Sequence, residues 1–372
     1  GISSIDGDGL IEPGETATVS WFIIPKITAG GESPIGIDYD VGAELAGSLY
    51  GNEIDPSVLL VIPDTITVRP EPQLEITYFQ PRDVDGDNPF TTDIVETPIP
   101  FTLGVLVKNS GYGQANQVVI KSEQPKIVEN IEDLLVVPQL IGARINDDPV
   151  DHASLTVNLG DIDSGSCRKG AWDMITTLSG EFTEFEASYT HSSELGGEET
   201  SVITSINAYF IVHEVLNDQV GRDSLLDFLA TTDKTQEDLI PDTLYETDCN
   251  VLPVNRLNNA AVTGYNGLTA TVRATADFEN WIFIRLDDPA QNKFPIESVV
   301  RSDGKVLNPN NYWTNLRYEK YTNNELTYLN IFDNVALGEY DYEITYKSVD
   351  IDTTSPVTTL LFSGAFEQGT GA

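Results

Sequence analysis

Between Phe101 and Asn109, apolar and polar positions alternate with a period of two. Phe101, Leu103, Val105 and Val107 fall on one face, and Thr102, Gly104, Leu106 and Lys108 on the other. Asn109-Ser110-Gly111 breaks the run with residues that tolerate a tight turn, and Val118, Val119 and Ile120 open a second one. Strand-like runs recur along the chain, at Thr16–Ile24 (Ala17, Val19, Trp21 and Ile23 on one face), Val58–Val68, Leu74–Phe79, Leu134–Ile141, Ser154–Leu159 and Val202–Val215. Others follow at Thr269–Thr275, Trp281–Leu286, Ser298–Arg301 and Leu326–Phe332. In the last run, Tyr340, Tyr342, Ile344 and Tyr346 oppose Asp341, Glu343 and Thr345, and Asp303-Gly304 is a hairpin signal before it. Only Arg222–Ala230, carrying Leu225, Leu226, Phe228 and Leu229, reads as two helical turns. The pattern predicts an all-β chain of tandem antiparallel β-sandwich domains with a short, partly helical bridge.

Punctuation sets the expected boundaries. Arg69-Pro70-Glu71-Pro72 is a stiff linker, because proline fixes its own φ and restrains its neighbour. Asn258-Asn259 marks a connector. The expected organisation is a module at 1–70 with an acidic opening loop, a second at 73–190, an irregular bridge at 191–260 and a third module at 265–348. Residues 349–372 form a linker or the first strand of a further repeat.

Charge narrows the partners. The 372 residues hold 59 acidic and 20 basic side chains, a formal net charge of -39. Such a field repels phosphate backbones, which excludes nucleic acid and disfavours anionic membranes, and it attracts divalent cations. No apolar run is long enough for a membrane span. The first residues, Gly1-Ile2-Ser3-Ser4-Ile5-Asp6, lack the basic and apolar regions of a signal peptide, so the expectation is a leader already removed or a piece of a longer polypeptide. The absence of an Asn-x-Ser/Thr sequon speaks against a eukaryotic glycoprotein. The only cysteines, Cys167 and Cys249, suit either one disulfide in an exported chain or two inert thiols.

Several stretches share one likeness. Lys108-Asn109-Ser110-Gly111 closing a strand resembles the centre of a CARDB-type domain, an immunoglobulin-like module of large prokaryotic surface proteins. The opening Asp6-Gly7-Asp8-Gly9 followed by Glu12-Pro13-Gly14-Glu15 resembles the start of bacterial Ig-like modules. Ser154–Ile162 followed by Ala171-Trp172 is similar to the last strands of the CARDB type, and Gly338–Tyr346 to a closing Ig-like strand. Asp352-x-Thr354-x-Pro356-x-Thr358-Thr359 resembles the entry to another repeat. The resemblance implies Ig-like extracellular repeats without an active site, joined to copies of themselves or to neighbouring repeats.

Candidate chemistry is sparse. Asp6, Asp8 and Glu12 sit on a glycine-rich loop, and Asp83, Asp85 and Asp87 copy the first half of an EF-hand loop. The twelfth position of that loop is Ile94 rather than Glu, so an EF-hand is rejected, and Asp93 and Glu96 are outside candidates. Clustered oxygens suit calcium; the alternative is polar turns facing water. His152, His191 and His213 stand far apart in unlike contexts, and no Gly-x-Ser-x-Gly, His-Glu-x-x-His or phosphate loop occurs, so an enzyme is not expected. Tyr312-Trp313 follows an Asn-rich loop and is the candidate surface for glycans, against the alternative that Trp313 plugs a domain end. Val357, Thr359 and Leu361 share one face of an extended tail and are the candidate strand-addition residues. The expected function is an extracellular or cell-surface stalk, fibre or adhesin segment, calcium-stiffened and polymerising by strand addition. A carbohydrate-binding module array is the second reading.

Overall fold

The computed structural model describes residues 10–16, 18, 20–26, 28–44, 46–55, 62–87, 95, 97–121, 138–182, 202–236, 238–318 and 325–348. The chain divides into two units, Gly1–Arg256 and Leu257–Ala372. Both are all-β, and no α-helix occurs among the described residues.

The first unit begins with a ribbon of β1 (Ile37–Val41) and β2 (Asp64–Val68), paired antiparallel with Tyr39 opposite Ile66. Asp38 and Asp40 accept hydrogen bonds from Thr67 and Thr65 on one face, while Ile37, Tyr39 and Ile66 stay about 40% exposed on the other. The strand expected at 16–24 does not form among the described residues. Trp21, Phe22, Ile23 and Ile24 lie outside any ladder and are exposed, Phe22 almost completely. Alternation marks an apolar face there, but no described element covers it.

Beyond the ribbon lie β3 (Leu74–Gln80), β4 (Phe101–Asn109), β5 (Ala115–Lys121), β6 (Pro138–Ile145), β7 (Thr156–Ile162) and β8 (Cys167–Thr176). They are followed by β9 (Ile203–Leu216), β10 (Leu226–Thr231), β11 (Thr243–Tyr245) and β12 (Val251–Arg256). One sheet runs β6-β8-β4-β3-β9-β10-β11-β12, and β5 pairs with β7 separately. Leu103, Val105 and Val107 of β4, Leu74, Ile76 and Tyr78 of β3 and Trp172 and Met174 of β8 share a core with Ile120 of β5 and Val157, Leu159 and Ile162 of β7. This face is the one the alternation of 101–107 predicts.

The opposite face of β4 is covered too. Phe79, Leu106, Ile211, Phe228 and Tyr245 form a second core, with the Phe79 and Phe228 rings stacked 4.4 Å apart. A Cβ at Gly104 would stand 2.4 Å from Phe228 Cζ, so glycine is what lets the ring lie on the strand. The strand β9 makes this second layer. Its first half pairs in parallel with β3, its second half antiparallel with β10, and the register shifts between Ile211 and His213. A strand that changes partners at an irregularity turns a corner between layers.

The stretch expected as an irregular bridge thus supplies β9 to β12, and the predicted helical turns are the strand β10. Its residues from Asp227 onward are all buried. A short apolar run covered on both faces needs no alternation, so spacing alone could not separate it from a helix.

The second unit contains β13 (Ala261–Tyr265), β14 (Thr269–Ala276), β15 (Asn280–Asp287), β16 (Ile296–Arg301), β17 (Tyr312–Tyr318), β18 (Glu325–Val335) and β19 (Gly338–Tyr346). One sheet is β13-β14-β19-β16, and β15-β18-β17 are neighbours in another. Ala270, Val272, Val299, Tyr342 and Ile344 of the first meet Ile282, Ile284, Leu329 and Ile331 of the second in one core. On the other side of β15 and β18, Trp281 and Phe332 stack 4.6 Å apart.

Candidate functional site

The polar groups that the fold draws together fasten strands and turns. The first is Asn109, fully buried at the end of β4. Its amide donates to Gly113 O (2.7 Å) and Ile162 O (3.0 Å), and its Oδ1 accepts from the N–H groups of Gln73 and Gly111, both at 3.1 Å. All four of its hydrogen-bonding positions are filled, which ties β3, the 109–113 turn and β7 to one side chain. Gly111 and Gly113 permit this, since a Cβ on either would lie within 2.4 Å of backbone atoms at Gln73 or Pro70.

The second is an ionic network around Lys169, whose side chain is 1% exposed. Its ammonium lies 2.7 Å from Asp147, 2.6 Å from Glu214 and 2.7 Å from Leu226 O, and 4.7 Å from the centre of the Phe228 ring. Arg144 bonds both Asp173 (2.8 Å) and Glu214 (2.7 Å). Burial pushes Glu214 upward, but Lys169 and Arg144 outweigh it and hold it down at about 2. Desolvation pushes the half-buried His213 down to about 4, against the pull of Glu214. In the second unit, buried Asp333 accepts from Arg301 (2.7 Å), Lys305 (2.8 Å) and the Tyr342 hydroxyl (3.0 Å).

The third cluster joins the turn after β9 to the turn after β11. Asp227 accepts from the N–H groups of Thr247 (2.9 Å) and Asn217 (3.2 Å), Glu246 accepts from the Asn217 amide, and Arg222 bonds Asp248 at 2.6 Å. Cys249 lies in the second of these turns and is joined to Cys167 at the start of β8, with Cα atoms 5.5 Å apart.

Asp6, Asp8, Asp93, Glu96, His191, Val357, Thr359 and Leu361 lie outside the described residues. Glu12 is exposed, and its N–H donates to Glu15 Oε2. Asp83 pairs with Arg82 at 2.9 Å, Asp85 O accepts from Ile99 N–H, and the backbone of Asp87 bonds Thr177 and Ser179. Among the described residues, no group of three or more His, Cys, Asp or Glu is placed to hold a metal ion. Tyr312 and Trp313 are not a surface pair. Tyr312 is 6% exposed in the core of the second unit, with its hydroxyl donating to Glu297 O. Trp313 is half-buried, 6.1 Å from Phe283. Their positions at the head of β17 send successive side chains to opposite faces, which the loop-like Asn308–Asn311 in front of them concealed.

Lys169, Glu214, Asp227 and Glu246 were not legible as site residues. The one hint was the adjacent pair Arg168-Lys169 inside the strand run Cys167–Thr176. No protein-family model matches the chain, and no curated protein does. Among solved structures, the secreted serine protease VesC from Vibrio cholerae aligns over 73% of this chain and 49% of its own length, at 8% identity and a TM-score of 0.12. That similarity is too low to bear on fold or function.

Proposed function

We propose that the chain is a segment of an extracellular or cell-surface structural protein, a stalk, fibre or adhesin piece built from Ig-like β-sandwich modules. The observation that carries this reading is where the buried polar groups go: Asn109, Lys169, Glu214 and Asp333 spend their bonds joining strands and turns. The Cys167–Cys249 bond supports an oxidising compartment. The half-exposed ribbon of β1 and β2, with its apolar row and with edges that pair with no other strand among the described residues, supports association through strand addition, the donor being the tail around Val357, Thr359 and Leu361 of a neighbouring copy. Clustered acids around Asp6, Asp8 and Glu12 are the basis for calcium stiffening, and melting in excess chelator tests that part by itself. With Tyr312 in the core, the aromatic pair no longer supports the carbohydrate reading.

The test is the assembly state of the purified chain by light scattering and negative-stain microscopy, with and without residues 353–372. Chains or filaments that disappear on deletion, with melting unchanged, are expected. A strict monomer at high concentration, unaltered by the deletion, counts against strand addition.

A further inference from the structure

The turn after β9 and the turn after β11 hold more negative charge than the groups around them neutralise. Asp227 is 2% exposed and Glu246 is 1% exposed. Asp223 and Arg222 face them from the first turn, and Asp248 faces them from the second. Among the described residues, four carboxylates therefore share one cation, and Arg222 is committed to Asp248 at 2.6 Å. Glu246 Oε1 is occupied by the Asn217 amide, while Glu246 Oε2 is buried, finds no hydrogen-bond donor among the described residues and stands 3.4 Å from the Arg222 guanidinium. A buried carboxylate oxygen without a donor is costly as an anion, and protonation lowers that cost.

We propose that these two turns form a proton-operated clasp, closed when the Asp227–Glu246 pair holds a proton and loosened when the pair is fully ionised. Desolvation is the main cause, and the neighbouring acids add to it: Asp227 is pushed up to about 7 against the opposing Thr247 and Asn217 N–H bonds, and Glu246 is raised in the same direction. A raised carboxylate favours the folded state at low pH, and that contribution is lost as pH rises through the folded value. The clasp anchors the turn carrying Cys249, so its loosening also exposes the Cys167–Cys249 bond. The inference does not depend on the chain being a surface fibre.

The test is denaturant unfolding of the full oxidised chain across neutral pH, alongside Glu246→Gln and Asp227→Asn. A folded value near 7 gives about a thirtyfold fall in the folding constant between about pH 5.5 and pH 8.5. Asp227→Asn is expected to remove most of that fall, and Glu246→Gln to reduce it. Carboxyl-carbon NMR of the wild type, labelled at aspartate and glutamate, needs no variant to fold and should show one cluster carboxyl titrating near neutrality. Midpoints below about 5 for both Asp227 and Glu246 would overturn the proposal. So would variants that keep the wild-type pH slope. Removal of the slope by excess calcium would also overturn it, since the cluster would then hold a cation instead of a proton.

Discussion

Replacing Asn109 tests whether one side chain holds the first unit's turn in place. Asn109→Ala strips hydrogen bonds from Gly113 O, Ile162 O, Gln73 N–H and Gly111 N–H at once. Each buried group left unpaired costs about 1–3 kcal/mol, and water can reach some of them near the turn, so a total of about 4 kcal/mol is expected. Asn109→Asp separates the donor half from the acceptor half. It keeps the acceptor for Gln73 and Gly111 but turns a carboxylate oxygen toward two carbonyls, so it should cost about as much at neutral pH. The new carboxyl would be raised in the folded state, and its protonated form can donate to one carbonyl. Stability should therefore recover as pH falls below the raised value. Urea unfolding monitored by tryptophan fluorescence, with Trp172 reporting on the neighbouring core, measures both effects. A loss under about 1 kcal/mol for the alanine variant, or an aspartate variant indifferent to pH, would refute the latch.

Three further outcomes follow from the same geometry. Reducing the Cys167–Cys249 bond, which spans a sequence separation of 82, should cost about 4.5 kcal/mol by loop entropy, measured as a lowered urea midpoint in reductant. Gly104→Ala should cost about 1–3 kcal/mol, because its Cβ would meet Phe228 at 2.4 Å and unstack it from Phe79; a neutral result in thermal melting would mean the ring can move aside. Lys169→Met should destabilise by about 3 kcal/mol by leaving Glu214 short of a partner. Glu214 sits at about 2 in the native protein, so its contribution is present above its ordinary value near 4.5 and lost as pH falls toward 2. The methionine variant should lose it at a higher pH, read from acid unfolding curves.

The strands whose residues alternate between apolar and polar or small were the most legible. Phe101–Val107 and Tyr340–Tyr346 alternate cleanly, and both bury the predicted side. The strand β10 escaped because Asp227 to Thr231 are covered on both faces, and a doubly buried strand need not carry a period of two. Thr16–Ile24 failed in the opposite way: the period is there, but a covering element is not found among the described residues. The polar clusters were invisible for a topological reason. Lys169 meets Glu214, and Asp227 meets Thr247, only after β8, β9, β10 and β11 have found their places in one sheet. Tyr312 and Trp313 show the limit of motif reading, since adjacent residues on a strand cannot both face solvent when one side is core.

The partner change within β9 has a consequence for how the first unit is made. Its parallel register sets Ile206 beside Ile76, 130 residues earlier in the chain (206 − 76). The β9–β10 pairing is a local hairpin that can close in microseconds, whereas the β3 pairing must wait for a long loop to shut. During synthesis, β3 can pair early with β4 but keeps one edge open until β9 emerges. That interval is the period in which a foreign strand could take the place of β9. The prior closure of the β9–β10 hairpin shortens it, by delivering β9 already held in extended form.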